Sequence, residues 1–204
     1  MKKQLSTLQQ LLTVMDPELY RHFEKTESLN LFFCFRWVLI AFKREFPFDE
    51  VLRLWEVLWT DYYSTRFVLF VALAVLVSHR DVILRYLVEF DEVLKYCNEL
   101  SMTIELDSTL AQAEVLFLSF TQIVADIDRR KAEREAEAPG GEGLRRRYGA
   151  GKASTSTTPP SSSTPSSPTS PSSSEALKNI EMPEIGEYLR ELLISGSTNS
   201  ASKA

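Results

Sequence analysis

An all-α fold is predicted by three features of the sequence. Apolar residues recur at three- and four-residue spacing through most of the first 137 positions. No stretch shows the apolar/polar alternation of a half-buried strand. Residues 29–42 are apolar at every position except Asn30 and Arg36. A helix apolar on nearly every side is expected to be buried on nearly every side, so this run is expected to hold the centre of a helical domain.

The elements follow in order. Leu5, Leu8, Leu12 and Met15 mark a first helix. Asp16-Pro17 starts a second, to about Lys25: Asp accepts from free backbone N–H groups, and Pro fits a first turn that needs no donor. The apolar run predicts a helix from Asn30 to Phe46, ended by Pro47, because the residue before proline is pushed out of helical geometry. A helix from Asp49 to Thr60 has Val51, Leu52, Trp55, Leu58 and Trp59 on one broad face. Ser64 or Thr65 is expected to cap the next, through Val77. Two short amphipathic helices are expected from Asp81 to about Val88 and from Asp91 to Leu100. Asp107 is expected to cap a long helix whose stripe runs through Leu110, Glu114, Phe117, Thr121, Val124 and Ile127. Its end, residues 129–137 (RRKAEREAE), is charged on all sides and reads as a solvated extension held by charge pairs three and four residues apart.

Pro139-Gly140-Gly141 breaks that helix, and every residue from 154 to 174 is Ser, Thr or Pro. Such a tract has nothing to bury against the entropy of ordering it and is expected to stay disordered. Thr158, Thr164, Ser167 and Ser170 each precede a proline, the pattern of a proline-directed kinase site or of an unmodified spacer. Beyond it, Ile185, Tyr188, Leu189, Leu192 and Leu193 form an amphipathic stripe, expected either to dock back on the domain or to bind another helix. The expected organisation is a helical lobe over 1–137, a linker over 138–181, an amphipathic helix over 182–194 and a tail over 195–204.

Composition narrows the function classes. The 204 residues are 44% hydrophobic and 25% charged with a net charge of −5, which argues against a general nucleic-acid binder. Cys34 and Cys97 sit in helical apolar patterns and read as buried reduced thiols. His22 and His79 each lie beside an Arg and far from one another, so no metal-ligand set is visible and no cofactor is implied. The apolar run Phe67 to Val77 falls well short of the roughly 20 residues that span a bilayer and reads as a core helix rather than a transmembrane segment. Nothing resembles a phosphate-binding loop or a nucleophile with its base, so the chain is not expected to be an enzyme in its own right.

The block LFFCFRW…FKREF…VLRLWEVLW, from Leu31 to Trp59, resembles the second, carboxy-terminal lobe of the TBC domain, the activator of Rab-type GTPases. The likeness extends from about Leu5 to Ile127, and FDEVLKYCNELSM at Phe90 to Met102 resembles the fungal vacuolar Ypt-type subfamily and its animal relatives. That family usually carries Asp where Glu56 stands. The resemblance implies an all-helical lobe, a Rab/Ypt GTPase as partner, and a cytoplasmic protein peripheral to endomembranes. The family's Arg, from an Ile-x-x-Asp-x-x-Arg motif, and its Gln, from a Tyr-x-Gln motif, lie upstream of the preserved block. The chain contains no Tyr-x-Gln; its one Ile-x-x-Asp-x-x-Arg, Ile123, Asp126 and Arg129, lies downstream and reads as accidental. The expectation is therefore a truncated activator, inactive alone, with no catalytic residue to assign. An adaptor unrelated to GTPases is the alternative. Arg36 and Arg53 are expected to be structural, satisfied by Glu45, Glu50 or Glu56. Trp37, Trp55 and Trp59 are expected in the core, and the lobe is expected to self-associate through exposed apolar surface.

Overall fold

Polar caps and prolines set the first helix boundaries. In the computed structural model, which describes residues 2–137 and 185–194, Asp16 Oδ1 accepts from the Leu19 amide at 3.0 Å and Pro17 occupies the first turn. α1 (Lys2–Met15) thus passes directly into α2 (Pro17–Lys25). Then come α3 (Phe32–Leu39), α4 (Phe48–Trp59), α5 (Val68–Ser78), α6 (Arg80–Tyr86), α7 (Phe90–Glu99) and α8 (Leu106–Glu137). A short α9 (Glu187–Arg190) runs into a 3₁₀ turn at Glu191–Leu193. Among the described residues there is no strand, and the fold is all-α.

The centre belongs to α5. Every residue from Leu69 to Leu76 is buried, as a helix without a polar face requires. α3 packs on α5, α7 and α1; α1 packs on α2 and α5; and α6 packs on α2 and α5. Arg80, at the start of α6, ties this layer together: its guanidinium donates to Asp16 Oδ2 at 2.7 Å and pairs with Glu18. Residues 2–128 and 185–194 belong to one compact unit, and the charged end of α8 from Arg129 falls in another.

Four expectations are corrected. The helix predicted over Asn30 to Phe46 stops at Leu39, and the chain reverses through Ala41 and Phe42, both left-handed with φ of 46° and 61°. Pro47 ends no helix; it stands instead before the first turn of α4. α8 begins at Leu106 and is capped by Glu105, whose carboxylate accepts from the Asp107 and Ser108 amides at 3.1 and 2.7 Å. The Ser108 side chain, ahead of those amide bonds, holds the Glu105 carboxyl below its ordinary pKa. The buried stripe of α8 is Leu106, Thr109, Ala113, Leu116, Phe120 and Val124, a register displaced from the expected one; Glu114 and Thr121 are exposed. Finally, α5 begins at Val68, past Ser64 and Thr65: Ser64 Oγ accepts from the Arg66 amide at 3.1 Å within the preceding turn.

The tract at 154–174, its Ser/Thr-Pro pairs and the Pro139-Gly140-Gly141 break lie outside the described residues. Among those described, one helix, α8, is long and apolar enough to cross a membrane by length and composition. Of its apolar window 22% is buried inside the unit, through residues such as Leu106, Ala113, Phe120 and Val124, while Val115 and Leu118 are exposed.

Asp16 both caps α2 and holds Arg80. Asp16→Ala is expected to lower unfolding free energy by about 1–2 kcal/mol, while Asp16→Asn, which keeps a capping oxygen, retains more than half of that. Urea unfolding of the two variants checks the order; equal losses would make the ion pair, not the cap, the dominant contribution.

Candidate functional site

The turn between α3 and α4 is tightly constrained. Consecutive non-glycine residues in left-handed geometry each carry a penalty of about 1–2 kcal/mol, so Ala41 and Phe42 must be held there by what surrounds them. The Phe42 amide donates to the Trp37 carbonyl at 2.8 Å, and the buried Phe42 ring lies between Trp37, centroids 5.7 Å apart, and Phe46, 6.0 Å. Trp55 Nε1 on α4 donates to the Ala41 carbonyl at 2.9 Å. The Met102 amide, from another left-handed residue, donates to the Glu45 carbonyl at 2.8 Å, and Ser101 Oγ donates to the Arg44 carbonyl at 2.6 Å. Arg36 closes the turn with a two-pronged ion pair to Glu45: Nε to Oε1 at 2.7 Å and Nη2 to Oε2 at 3.0 Å. The Glu45 side chain is 0% exposed. Arg36 is thus structural as expected, with Glu45 as its partner. Trp37 is fully buried, its indole N–H without a hydrogen-bond partner.

Bending the chain here leaves α3 with two faces. Phe33, Cys34, Trp37 and Val38 are buried, while Phe32, Phe35 and Leu39 line the outside at 60%, 40% and 53% exposure. The expectation that this run would be buried on all sides is overturned: once the turn reverses the chain, only one face of α3 meets the core. α4 likewise presents Phe48, Asp49, Leu52, Arg53, Glu56 and Trp59 outward. Trp59, expected in the core, is 71% exposed and packs on Trp55 with centroids 5.2 Å apart. Leu52 is exposed too. Exposed Trp, Phe and Arg side chains are residue types enriched at partner-binding surfaces. Arg53 points to Asp107 at 2.6 Å, not to Glu45, Glu50 or Glu56, and both side chains are well exposed. Arg53 is therefore a surface residue and not half of a buried pair.

The other singled-out residues have local roles. His22 Nε2 donates to the Leu87 carbonyl at 2.7 Å, and His79 Nδ1 faces the Tyr96 hydroxyl at 2.9 Å, with burial holding the His79 pKa below its usual value. Cys34 and Cys97 are buried free thiols. Burial raises both: Cys97 is pushed up to about 12, and Cys34 is raised further by the neighbouring Cys97. Among the described residues no three His, Cys, Asp or Glu side chains converge as a metal site would need. On α8, Ile123 is half-buried, Asp126 and Arg129 are exposed, and Arg129 Nε lies 4.0 Å from Glu133 Oε1, one helical turn on.

The profile of the Rab-GTPase-TBC domain matches residues 1–84, a stretch that contains α3, the strained turn and α4. Residues 1–84 belong to the Rab-GTPase-TBC domain family. The chain is 57% identical over 142 residues to the GTPase-activating protein GYP7 of Yarrowia lipolytica, covering 70% of this chain and 20% of that one. It is 42% identical over 127 residues to GYP7 of Saccharomyces cerevisiae, 62% of this chain and 17% of that one. To human TBC1 domain family member 17 it is 46% identical over 121 residues, 59% and 19% respectively. The chain thus spans about a fifth of the length of the curated relatives it matches. The TBC-domain assignment is of the fungal GYP7 type.

The outward residues of α3 and α4 can be altered without unfolding the domain. Arg53→Ala is expected to change unfolding free energy by less than about 1 kcal/mol, as for other exposed ion pairs, and Phe35→Ser by a similarly small amount. Thermal melts check both; a large drop for either would place that residue in the core.

Proposed function

We propose that this chain supplies the second-lobe scaffold of a Rab/Ypt GTPase activator of the GYP7 type, and that these residues alone do not accelerate GTP hydrolysis. The observation that carries the reading is the Arg36–Glu45-locked turn inside the stretch matched by the TBC family, in a chain whose relatives are named GTPase-activating proteins. GTP hydrolysis by a small GTPase is slow because charge develops on the phosphoryl oxygens and the attacking water is poorly held. An activator adds a cation for the charge and an amide to orient the water. In this chain Arg36 is committed to Glu45, Arg53 reaches Asp107 and Arg129 approaches Glu133. The sequence has no Tyr-x-Gln. The role left to these residues is to build the lobe and offer the outer faces of α3 and α4 to the GTPase or to the remainder of the activator. On this reading the protein is a regulator with no active site of its own, acting in the cytoplasm at endomembrane surfaces. The adaptor alternative shares the exposed faces but gives no reason for the match over residues 1–84.

Single-turnover GTP hydrolysis across a panel of Rab GTPases is the test. An activator's Arg contributes on the order of a thousandfold or more, so rates with this chain are expected to stay at the intrinsic level. A large acceleration lost on Arg129→Ala would overturn the reading and make α8 the source of the finger.

A further inference from the structure

The terminal segment is held both by buried apolar residues and by charge pairs to distant elements. Ile185, Leu189 and Leu192 are buried, at spacings of four and three, and belong to the continuous apolar core. Around them the contacts are polar and come from elements far away in sequence. Arg190 makes a two-pronged ion pair with Asp128 on α8, at 2.9 and 2.5 Å. The adjacent Glu191 pairs with Arg66 at 2.8 Å, and the Ile194 carbonyl accepts from the Thr65 amide at 3.3 Å. α9 packs on α1. Beside that seam a cleft of about 330 Å³ stays open, lined by Lys2, Lys3, Ser6, Thr7, Gln10 and Tyr188.

Three features set this apart from an ordinary core helix. One α-helical turn and one 3₁₀ turn are too short to be stable alone, so the surface must impose their order. Neighbouring residues of opposite charge rest on partners of opposite charge, Arg190 on Asp128 and Glu191 on Arg66, which fixes both register and direction. A reversed or shifted segment would bring like charges together. A solvent-open cleft runs along one side of the seam, between α1 and Tyr188.

We propose that the surface formed by α1, the turn at residues 64–66 and the Asp128 region of α8 is a peptide-recognition site, and that residues 185–194 are its ligand, bound in cis. It selects a short amphipathic segment with an apolar residue, a second four places on, a third three beyond that, and Arg-Glu between the second and third. It is separable: a free peptide of that pattern exchanges with the resident segment.

The experiment uses the full chain with a protease site placed in the tract at 154–174, cleaved after purification so that the folded protein keeps its own terminal fragment. A fluorescent peptide of residues 183–196 is then added and anisotropy followed to equilibrium. The peptide is expected to exchange in, and the terminal fragment to be released on size exclusion. A peptide with Leu189→Ala and Leu192→Ala is expected to bind about thirtyfold or more weaker. A peptide with Arg190→Asp is expected to bind more weakly to the cleaved native chain and to recover on a chain carrying Asp128→Arg. Exclusion of the labelled peptide while circular dichroism remains native would overturn the proposal by making 185–194 an inseparable part of the core. Equal binding of the native and double-Ala peptides would also overturn it. An uncleaved chain that runs as a dimer would assign the site to a second copy's segment and overturn the cis reading.

Discussion

A buried carboxylate and its guanidinium partner fix the course of the chain. Glu45 has no exposure to water, and a charge in that position is tolerated only when matched by a partner and by hydrogen bonds. Arg36 supplies both prongs, but it stands nine residues earlier. In a continuous helix nine residues correspond to about 900° of rotation and about 13.5 Å of rise, which would put the two side chains on opposite faces, far beyond contact. The pair can form only if the helix breaks between them. The break falls at Ile40 to Phe42, at the expense of two left-handed non-glycine residues. That one reversal buries Phe42 and Phe46, gives Trp55 a carbonyl for its indole N–H, and gives the Met102 amide the Glu45 carbonyl.

The same reversal decides which apolar residues face outward. With α3 cut to eight residues and packed by one side on α5, α7 and α1, Phe32, Phe35 and Leu39 have no core to enter. α5, with no polar face, takes the central place instead. The outward aromatic and aliphatic residues of α3 and α4 therefore follow from the turn. In a domain of the TBC family they are the surfaces on which the proposed second-lobe role relies.

Local chemistry was legible in the sequence, and long-range pairing was not. The start of α2 could be read from Asp16-Pro17 because a cap and a first-turn proline act within a few residues. Of the docking stripe legible in the period, Ile185, Tyr188, Leu189, Leu192 and Leu193, the structure buries Ile185, Leu189 and Leu192 and half-buries Leu193, but leaves Tyr188 exposed. The turn at Ala41-Phe42 could not, since it contains no Gly, Asn or Pro and its geometry is imposed by tertiary contacts. One signal was available: an Arg embedded in an apolar run whose nearest downstream acid, nine residues on, sits out of phase with it. For Arg53 the sequence points to Glu56, three residues away, whereas the fold brings in Asp107. Asp107 itself was misread as a cap because Glu105, two residues earlier, supplies the capping carboxylate. Within the candidate site, the family motif was visible in the residues, but which of them face out was set by the turn.

A double-mutant cycle tests whether the Arg36–Glu45 pair holds the turn. Arg36→Leu, Glu45→Leu and the double variant are compared with the native chain by denaturant unfolding. Stranding one buried charge is strongly destabilising, by about 3–5 kcal/mol, while replacing both partners with apolar groups is far less so. Each single variant is expected to be less stable than the double, with a coupling energy of about 2 kcal/mol or more. Small, additive losses from the two single changes would contradict it and leave the turn to aromatic packing alone.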